Sequence, residues 1–251
     1  MDIIQNFYDN LASEYDKLFE NWLSTTKEQA SILNKIICEN GFDKGAKILD
    51  CACGIGTQAI GLALMGYSVS ASDISTAELL EAKKRAEENR VKIHFEKADF
   101  RTLENTFLQK FNIIIAMDNA LPHMLTKEDL KKAIKSITNC LAPGGMFVAS
   151  IRDYDLILKN KPPYSPPYIH KTQNGQRVCF QTWNWEGDIY NLTQYIIEDN
   201  IDLSVKKFEC KYRAVTREEI TCILTSCGFT NVEWKFPEET DFYQPIVIAK
   251  K

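Results

Sequence analysis

The first 150 residues alternate between short apolar runs and longer segments with helical periodicity. Short runs that are apolar on both faces and separated by helices are typical of a parallel sheet covered by helices on both sides. The predicted strands are Ala46–Cys51, Ser68–Ala71, Lys92–Glu96, Phe111–Met117 and Met146–Ile151. The predicted helices are 9–38, with a polar break near Ser24–Thr26, and then Thr57–Met65, Thr76–Asn89 and Lys127–Cys140.

The pattern changes after residue 151. Four of the eight prolines fall in the segment Lys161–Pro167, which predicts an extended, irregular loop. Alternating, aromatic-rich runs follow and predict antiparallel strands. These runs are Arg177–Trp185, Ile189–Glu198 and Leu203–Tyr212, and they precede a helix at Thr216–Cys227 and two closing strands at Val232–Phe236 and Gln244–Lys250. One α/β sheet with an antiparallel insert fits this order better than two domains.

Composition excludes several classes of protein. The 251 residues carry a net charge of −4, which argues against a nucleic-acid surface, and no apolar run approaches the roughly 18 residues of a membrane helix. The eight cysteines form no CxxC pair and there are only three histidines, so neither a disulfide framework nor a metal site is indicated. The first six residues lack the features of an export signal. We therefore expect a cytoplasmic protein with reduced thiols.

A glycine loop joins the first predicted strand to the next helix. Gly54 and Gly56 would let the backbone approach a ligand closely at the carboxyl end of that strand. Taken alone, these glycines also match the loop of nicotinamide and flavin enzymes. The acid Asp50, four residues before Gly54, suits a cationic ligand better than a pyrophosphate.

Two further acids follow the next two predicted strands. Asp73 could accept both hydroxyls of a ribose, although it could instead cap the helix that follows, a role open to Ser75 as well. Asp99 could receive an adenine amino group, with Phe100 beside it to cover the ring. Three acids after three successive strands, with a glycine loop at the first, indicate a nucleoside-binding site more strongly than any one of these features alone.

This arrangement resembles the class I S-adenosylmethionine-dependent methyltransferases over roughly Ala46–Ile151 and the last two strands, including the turn Leu141–Gly145. The resemblance implies a Rossmann-like mixed seven-stranded sheet, mostly parallel with the last strand antiparallel, and helices on both faces. It also implies an N-terminal helical lid (1–44), a core (45–152 and 214–251) and an antiparallel insert (153–213) within one domain (1–251). The implied cofactor is S-adenosyl-L-methionine. The candidate cofactor-binding residues are Tyr15, Trp22, Asp50, Cys51, Ala52, Gly54, Gly56, Asp73, Ile74, Asp99, Phe100, Met117 and His123.

Met117–His123 follows the fourth strand, and Arg152–Asp155 follows the fifth. Both segments are similar to those of glycine N-methyltransferases and glycine/sarcosine N-methyltransferases. The resemblance implies that Asn119 and Arg152 hold the carboxylate of an amino-acid acceptor. An arginine at the end of a buried strand could bind a carboxylate bidentately, although an internal pair with Asp153 or Asp155 is the alternative. Tyr154 completes the candidate catalytic group. Further candidate contacts are Arg213 and Tyr243, and His123 is expected to support the cofactor rather than act as a base.

Some positions depart from that family. Asp153 stands where the family has asparagine, and Ser24–Lys27 occupies the region of the arginine that binds the methionine carboxylate. We therefore expect a methyltransferase for a small molecule, with an amine that bears a carboxylate, such as glycine or sarcosine, as the favoured acceptor. An O- or S-methyltransferase and a non-catalytic S-adenosylmethionine-binding protein are the alternatives. No nucleic-acid or membrane partner is indicated, and the residues do not specify an oligomeric state.

Overall fold

The computed structural model of the protein describes residues 3–173, 175–200 and 202–251. The strands are β1 (Lys47–Asp50), β2 (Ser68–Asp73), β3 (His94–Lys97), β4 (Phe111–Ala116), β5 (Leu141–Ser150), β6 (Tyr168–Thr172), β7 (Gly175–Glu186), β8 (Ile189–Asp199), β9 (Leu203–Arg213), β10 (Asn231–Lys235) and β11 (Ile246–Lys250). The α-helices are α1 (Ile3–Leu11), α2 (Trp22–Glu39), α3 (Thr57–Leu64), α4 (Thr76–Glu88), α5 (Lys127–Cys140), α6 (Tyr154–Asn160), α7 (Arg217–Ser226) and α8 (Pro237–Thr240). Within these ranges, no helix combines the length and the apolar character needed to cross a membrane.

Seven strands form the central sheet in the order β10-β11-β5-β4-β1-β2-β3. The strands β1 to β5 pair in parallel, whereas β11 runs antiparallel to both of its neighbours, β5 and β10. The predicted fold class is thereby confirmed. The strand order reverses between β1 and β4, and the carboxyl ends of strands on either side of such a reversal form a ligand crevice.

Alternate residues of each central strand point to opposite faces, so the two faces bury separate apolar clusters. On β1, Ile48 packs in a cluster with residues of α2, α3 and α4, and Leu49 packs in one with residues of α5 and α7. Both side chains are fully buried. The second cluster also contains residues of α1 and of strands β7 to β9, so the N-terminal helix and the insert share the core of that face.

The insert is a four-stranded antiparallel sheet in the order β6-β7-β8-β9. The tight turn between β7 and β8 contains Gly187 at φ +67°, a conformation that favours glycine. Three elements were not predicted: α6, which begins two residues after Arg152, β6, which follows the proline-rich loop, and α8, which lies between the last two strands. All three are short, and none shows the period of its element clearly enough over so few residues.

The N-terminal region differs from the single broken helix that the sequence predicts. Helix α1 begins at Ile3, a 3₁₀ helix covers Ala12–Leu18, and α2 starts at Trp22. The predicted break near Ser24–Thr26 is wrong, because these residues lie in the first turn of α2. Asn21 caps that turn by accepting a hydrogen bond from the Ser24 backbone N–H at 3.0 Å, and hydroxyl residues are well tolerated beside such a cap.

Candidate active site

The loop after β1 depends on its glycines. Gly54 and Gly56 have φ values of +51° and +91°, in the left-handed region. A Cβ on Gly54 would lie 2.6 Å from Glu78 Oε2, and a Cβ on Gly56 would lie 2.8 Å from Ile60 Cδ1. Both neighbouring atoms are the ends of side chains that can shift, so the left-handed backbone is the main reason for glycine at these two positions.

Asp73, at the end of β2, holds this loop in place. Its two carboxylate oxygens accept hydrogen bonds from the backbone N–H groups of Gly54 and Ser75, both at 2.9 Å. The helix cap considered as an alternative role is taken by Ser75, whose Oγ accepts from the Glu78 backbone N–H at 3.1 Å. Each oxygen of Asp73 can accept a second hydrogen bond, so the carboxylate is available to a ligand.

A cavity lies over the carboxyl ends of β1 to β4. Most of the predicted cofactor-binding residues line it: Tyr15, Cys51, Ala52, Gly54, Asp73, Ile74, Asp99, Phe100, Met117 and His123. Gly56 lies behind the loop. Asp50 is fully buried beneath it, accepts from the Ala52 N–H at 3.3 Å, and has its pKa raised to about 8 by burial.

Two of the predicted residues have other partners. Trp22 does not line the cavity; its Nε1–H donates to Thr57 Oγ1 at 2.9 Å and its ring lies under Arg85, so it packs α2 against α3 and α4. Asp99 lies on the cavity wall, but Arg101 binds both of its oxygens through Nε at 2.9 and 3.0 Å. An adenine amino group would share this carboxylate with Arg101.

The sequence analysis missed Glu78, which lies in the first turn of α4. The residue is fully buried, lines the cavity, and neither carboxylate oxygen has a hydrogen-bond partner in the protein. Burial raises the pKa of Glu78 well above its usual value, and the nearby charge of Asp73 raises it further. Glutamate is common in the first turn of surface helices, where its charge interacts favourably with the helix dipole. Nothing in the sequence therefore distinguishes Glu78 from such a residue.

Carboxyl groups dominate the wall of this cavity. Asp73, Glu78, Asp99 and Asp118 all contribute to it, and the one cationic side chain among its described lining residues, Arg101, is bound to Asp99. Such a wall favours a ligand that brings positive charge and hydrogen-bond donors.

His123 connects this wall to the N-terminal helix. Its Nδ1 lies 3.4 Å from the carbonyl oxygen of Lys211, which can only accept, so Nδ1 carries the proton and Nε2 accepts from the Tyr8 hydroxyl at 2.7 Å. Burial lowers the pKa of His123 to about 3. The ring is neutral and both of its nitrogens have hydrogen-bond partners, which fits a supporting role better than that of a base.

A second cluster follows β4 and β5. Asp118 and Asn119 both have positive φ values, +54° and +70°, and Ser150 at the end of β5 accepts from the Asn119 N–H and from the Asp118 N–H. The Asn119 side chain accepts from the Arg152 N–H at 3.0 Å and donates to the Tyr154 hydroxyl at 3.0 Å. The predicted catalytic group Asn119, Arg152 and Tyr154 is thus brought together.

Neutral groups surround the guanidinium of Arg152. It donates to the Tyr190 hydroxyl at 2.8 Å and to Gln181 Oε1 at 2.9 Å, and lies over the rings of Trp183 and Tyr212 at 5.0 and 5.4 Å. Among the described residues, no carboxylate lies within ion-pair distance of it.

The acids considered as its partners bind elsewhere. Asp153 and Asp155 both pair with Arg217, at 2.6 and 3.5 Å. The alternative of an internal pair with Arg152 is therefore wrong.

Arg152 and Asn119 line a second, larger cavity of about 830 Å³. Tyr154 is fully buried behind them and does not reach that cavity, and Arg213 is bound by Glu219 at 2.9 and 3.0 Å. Tyr243 does line it and donates to Asp118 at 2.8 Å. Tyr8, Tyr15 and Asp118 line both cavities, so two ligands bound in them would meet at these residues.

A cavity at the switch point of a mixed seven-stranded sheet, walled by a glycine loop and by acids, is typical of nucleoside-binding proteins of the Rossmann-like class. Residues 48–145 match a family model described as a methyltransferase domain. An uncharacterized protein of Haemophilus influenzae is 32% identical over 201 residues, which cover 73% of this chain and 79% of that protein. The chain belongs to the class I S-adenosylmethionine-dependent methyltransferases, and its cofactor is S-adenosylmethionine.

Two further proteins are similar to this chain. A glycine/sarcosine N-methyltransferase of Aphanothece halophytica is 27% identical over 62% of this chain, which spans only 58% of that relative. An S-adenosylmethionine-dependent methyltransferase of Clostridium acetobutylicum shares the fold, with a TM-score of 0.76 and 20% identity over 97% of this chain and 98% of that one.

The chemistry of the first cavity's lining suits this cofactor. Unpartnered oxygens of Glu78 and the free acceptor positions of Asp73 suit hydroxyl donors, and the acidic wall suits a sulfonium and an ammonium group. Asp73, Ile74 and Phe100 would hold the adenosine, and the loop at Gly54 would face the methionine. Lys27 is exposed and does not line the cavity, so a role for it toward the methionine carboxylate has no support.

Replacing Asp73 should weaken cofactor binding. Asp73→Ala removes the acceptor for ribose hydroxyls and also frees the loop at Gly54, so the affinity for S-adenosylhomocysteine should fall about 10- to 100-fold. Asp73→Asn should lose less, because the amide oxygen still accepts. Calorimetric titration measures both, with Asp202→Ala in an exposed turn as the control. Unchanged affinity in a folded Asp73→Ala protein would contradict the ribose assignment.

Glu78 should make the ligand-free protein less stable as the pH rises. Its pKa is raised on folding, so above pH ~4.3 the unfolded chain releases a proton that the folded chain keeps, and stability falls until the folded group also ionises. Glu78→Gln removes this penalty. Its melting temperature should match that of the wild type near pH 4.5 and exceed it by roughly 2 °C or more at pH 8.

The control is Glu87→Gln, which changes an exposed glutamate of the same helix. It should leave the melting temperature within a degree or so of the wild type at both pH values. A constant difference between Glu78→Gln and the wild type across this pH range would show that Glu78 is ionised in the folded protein.

Proposed function

We propose that this methyltransferase acts on the amine of a small molecule that bears a carboxylate, and that Arg152 binds that carboxylate. The observation that carries the proposal is the absence of any anionic partner for Arg152 among the described residues, although its guanidinium lies in a cavity wall next to the cofactor cavity. Several relatives are named glycine/sarcosine N-methyltransferases, and glycine and sarcosine are acceptors of this kind.

The positive charge of Arg152 supports an anionic ligand at this position, although three acids, Asp118, Asp153 and Glu238, line the same cavity. An arginine has five N–H donors and stays charged at all ordinary pH values. Two neutral oxygens, from Tyr190 and Gln181, accept from Arg152, and its backbone N–H is held by Asn119. A carboxylate could accept further donors in the bidentate arrangement that guanidinium groups favour, which would offset the cost of enclosing the charge.

The surrounding network fixes the direction of this guanidinium. Asn119, Tyr154 and Tyr190 are all buried, and the hydroxyls of the two tyrosines are 2.8 Å apart. Gln181, which accepts from Arg152, donates in turn to Gln194 Oε1 at 2.8 Å. A carboxylate bound by Arg152 would therefore be held at one orientation, and alignment is what a displacement at carbon chiefly requires.

Bound S-adenosylmethionine supplies an electrophilic methyl group on its sulfonium. The residues of the chain orient the acceptor and exclude water. Tyr8 and Tyr15 cover the junction of the two cavities, and their aromatic rings favour a cationic centre there. Asp118, whose carboxylate accepts from Gln58 and Tyr243, is the acid that lines both cavities.

A direct test is a methyl-transfer screen with labelled S-adenosylmethionine over amines, amino acids, phenols and thiols. We expect label in amines that bear a carboxylate and much less in their amides and esters. Transfer only to phenols or thiols would replace the amine by an O- or S-acceptor. Cofactor binding without transfer to any class would indicate a binding protein instead.

Arg152 should determine acceptor affinity. Arg152→Lys keeps the charge but loses the planar fork, so the KM of the acceptor should rise while the affinity for S-adenosylhomocysteine stays the same. Arg152→Ala should lose about 2–4 kcal/mol of transition-state stabilisation. Initial rates at varied acceptor concentration, with calorimetry for the cofactor, measure both effects.

Arg217→Lys is the matched control, because Arg217 is a neighbouring arginine whose partners are Asp153 and Asp155. It should leave the KM of the acceptor unchanged. If Arg152→Lys and Arg217→Lys lowered the melting temperature alike and neither changed the KM, Arg152 would be a structural residue.

A further inference from the structure

The cavity that contains Arg152 is far larger than a small amino acid. Its volume of about 830 Å³ lies in the upper part of the range of roughly 300–1,000 Å³ that drug-sized ligands occupy. Glycine takes up little more space than a few water molecules of about 30 Å³ each. An acceptor of that size would leave most of the cavity unfilled.

The wall beyond Arg152 is mainly apolar and comes from three separate parts of the chain. The lid contributes Leu18 and Phe19, the proline-rich loop and the start of β6 contribute Pro162, Tyr164, Pro166 and Tyr168, and the start of α8 contributes Phe236 and Pro237. Among all the described lining residues, Arg152 is the sole cation. Tyr164 and Tyr168 leave 61% and 53% of their surfaces exposed, so both rings are accessible to a ligand in this cavity.

Hydrogen bonds place this apolar wall directly beside the guanidinium. Gln181, which accepts from Arg152, also binds the proline-rich loop: its carbonyl accepts from the Ser165 N–H and its N–H donates to Ser165 Oγ, both at 2.9 Å. Pro163, earlier in the loop, is bound to the same strand, because its carbonyl accepts a hydrogen bond from the Trp183 N–H at 2.8 Å. The loop is therefore a fixed wall next to the carboxylate site.

We propose that the acceptor is an amphipathic amino acid, with a long apolar or aromatic group that lies against the proline-rich loop while Arg152 binds its carboxylate. This inference rests on the proposed function, because it assumes that Arg152 binds a carboxylate. It adds that glycine and sarcosine are poor acceptors. Each methylene group placed against the wall should raise affinity by about fourfold, the equivalent of 0.8 kcal/mol.

The test measures binding of carboxylates to the complex with S-adenosylhomocysteine, so it does not require the right amine. Acetate, butyrate, hexanoate, octanoate and 3-phenylpropionate are titrated, and binding is followed by the tryptophan fluorescence of the protein, to which Trp183 in the cavity wall contributes. We expect affinity to rise at least 10-fold from butyrate to octanoate. Arg152→Lys should weaken binding of every member of the series.

Two variants locate the apolar contact. The double variant Tyr164→Ala/Tyr168→Ala should lose most of the increase in affinity that the wild type shows with chain length. The control is Ile169→Ala, which lies on the same strand as Tyr168, is 63% exposed, and points away from the cavity. It should bind the series as the wild type does.

The outcomes separate the two proposals. Affinity that depends on Arg152 but not on chain length would overturn this inference and leave the proposed function standing. Affinity that rises with chain length but not through Tyr164 and Tyr168 would also overturn it. If binding did not depend on Arg152, or if no carboxylate bound, the inference would fall together with the carboxylate assignment.

Discussion

The parallel arrangement of β1 to β5 is the constraint on which the other features depend. Parallel strands that are buried on both faces must be joined by helices, and this brings all of their carboxyl ends to one edge of the sheet. Asp50 and Asp73 are the last residues of β1 and β2, and Asp118 follows β4, so three acids from distant parts of the chain meet at that edge. The bonds from Gly54 and Ser75 to Asp73 then fix the loop between the first two strands.

The acids gathered there reduce the stability of the protein without its ligand. Asp50 and Glu78 are fully buried, each has at least one oxygen without a partner, and burial raises the pKa of both. Binding of a cationic, donor-rich ligand can offset this loss of stability. The N-terminal helix α1 contributes to the same region, because its Asp9 accepts from the Ser75 hydroxyl at 2.6 Å and its Tyr8 donates to His123.

Around Arg152, neutral groups solvate a positive charge. The two tyrosine hydroxyls, the glutamine and the aromatic rings around Arg152 come from β7, β8, β9 and α6, so the insert forms most of this environment. A single sheet thus supports two sites of opposite character. The acidic site lies over β1 to β4, and the site around the guanidinium lies between β5 and the insert.

The sequence by itself determined the class of fold, the position of the glycine loop and the acids that follow the strands, because apolar period and strand-end position are local properties of the chain. It also indicated Arg152, since an arginine that ends a buried strand must face the ligand edge. Only the tertiary structure decided which partners these residues have. Arg101 binds Asp99, Trp22 packs away from the cavity, Glu78 is enclosed without a partner, and Asp153 binds Arg217 rather than Arg152. Pairing between residues far apart in the chain depends on how the elements pack, and the periodicity of each element carries no information about it.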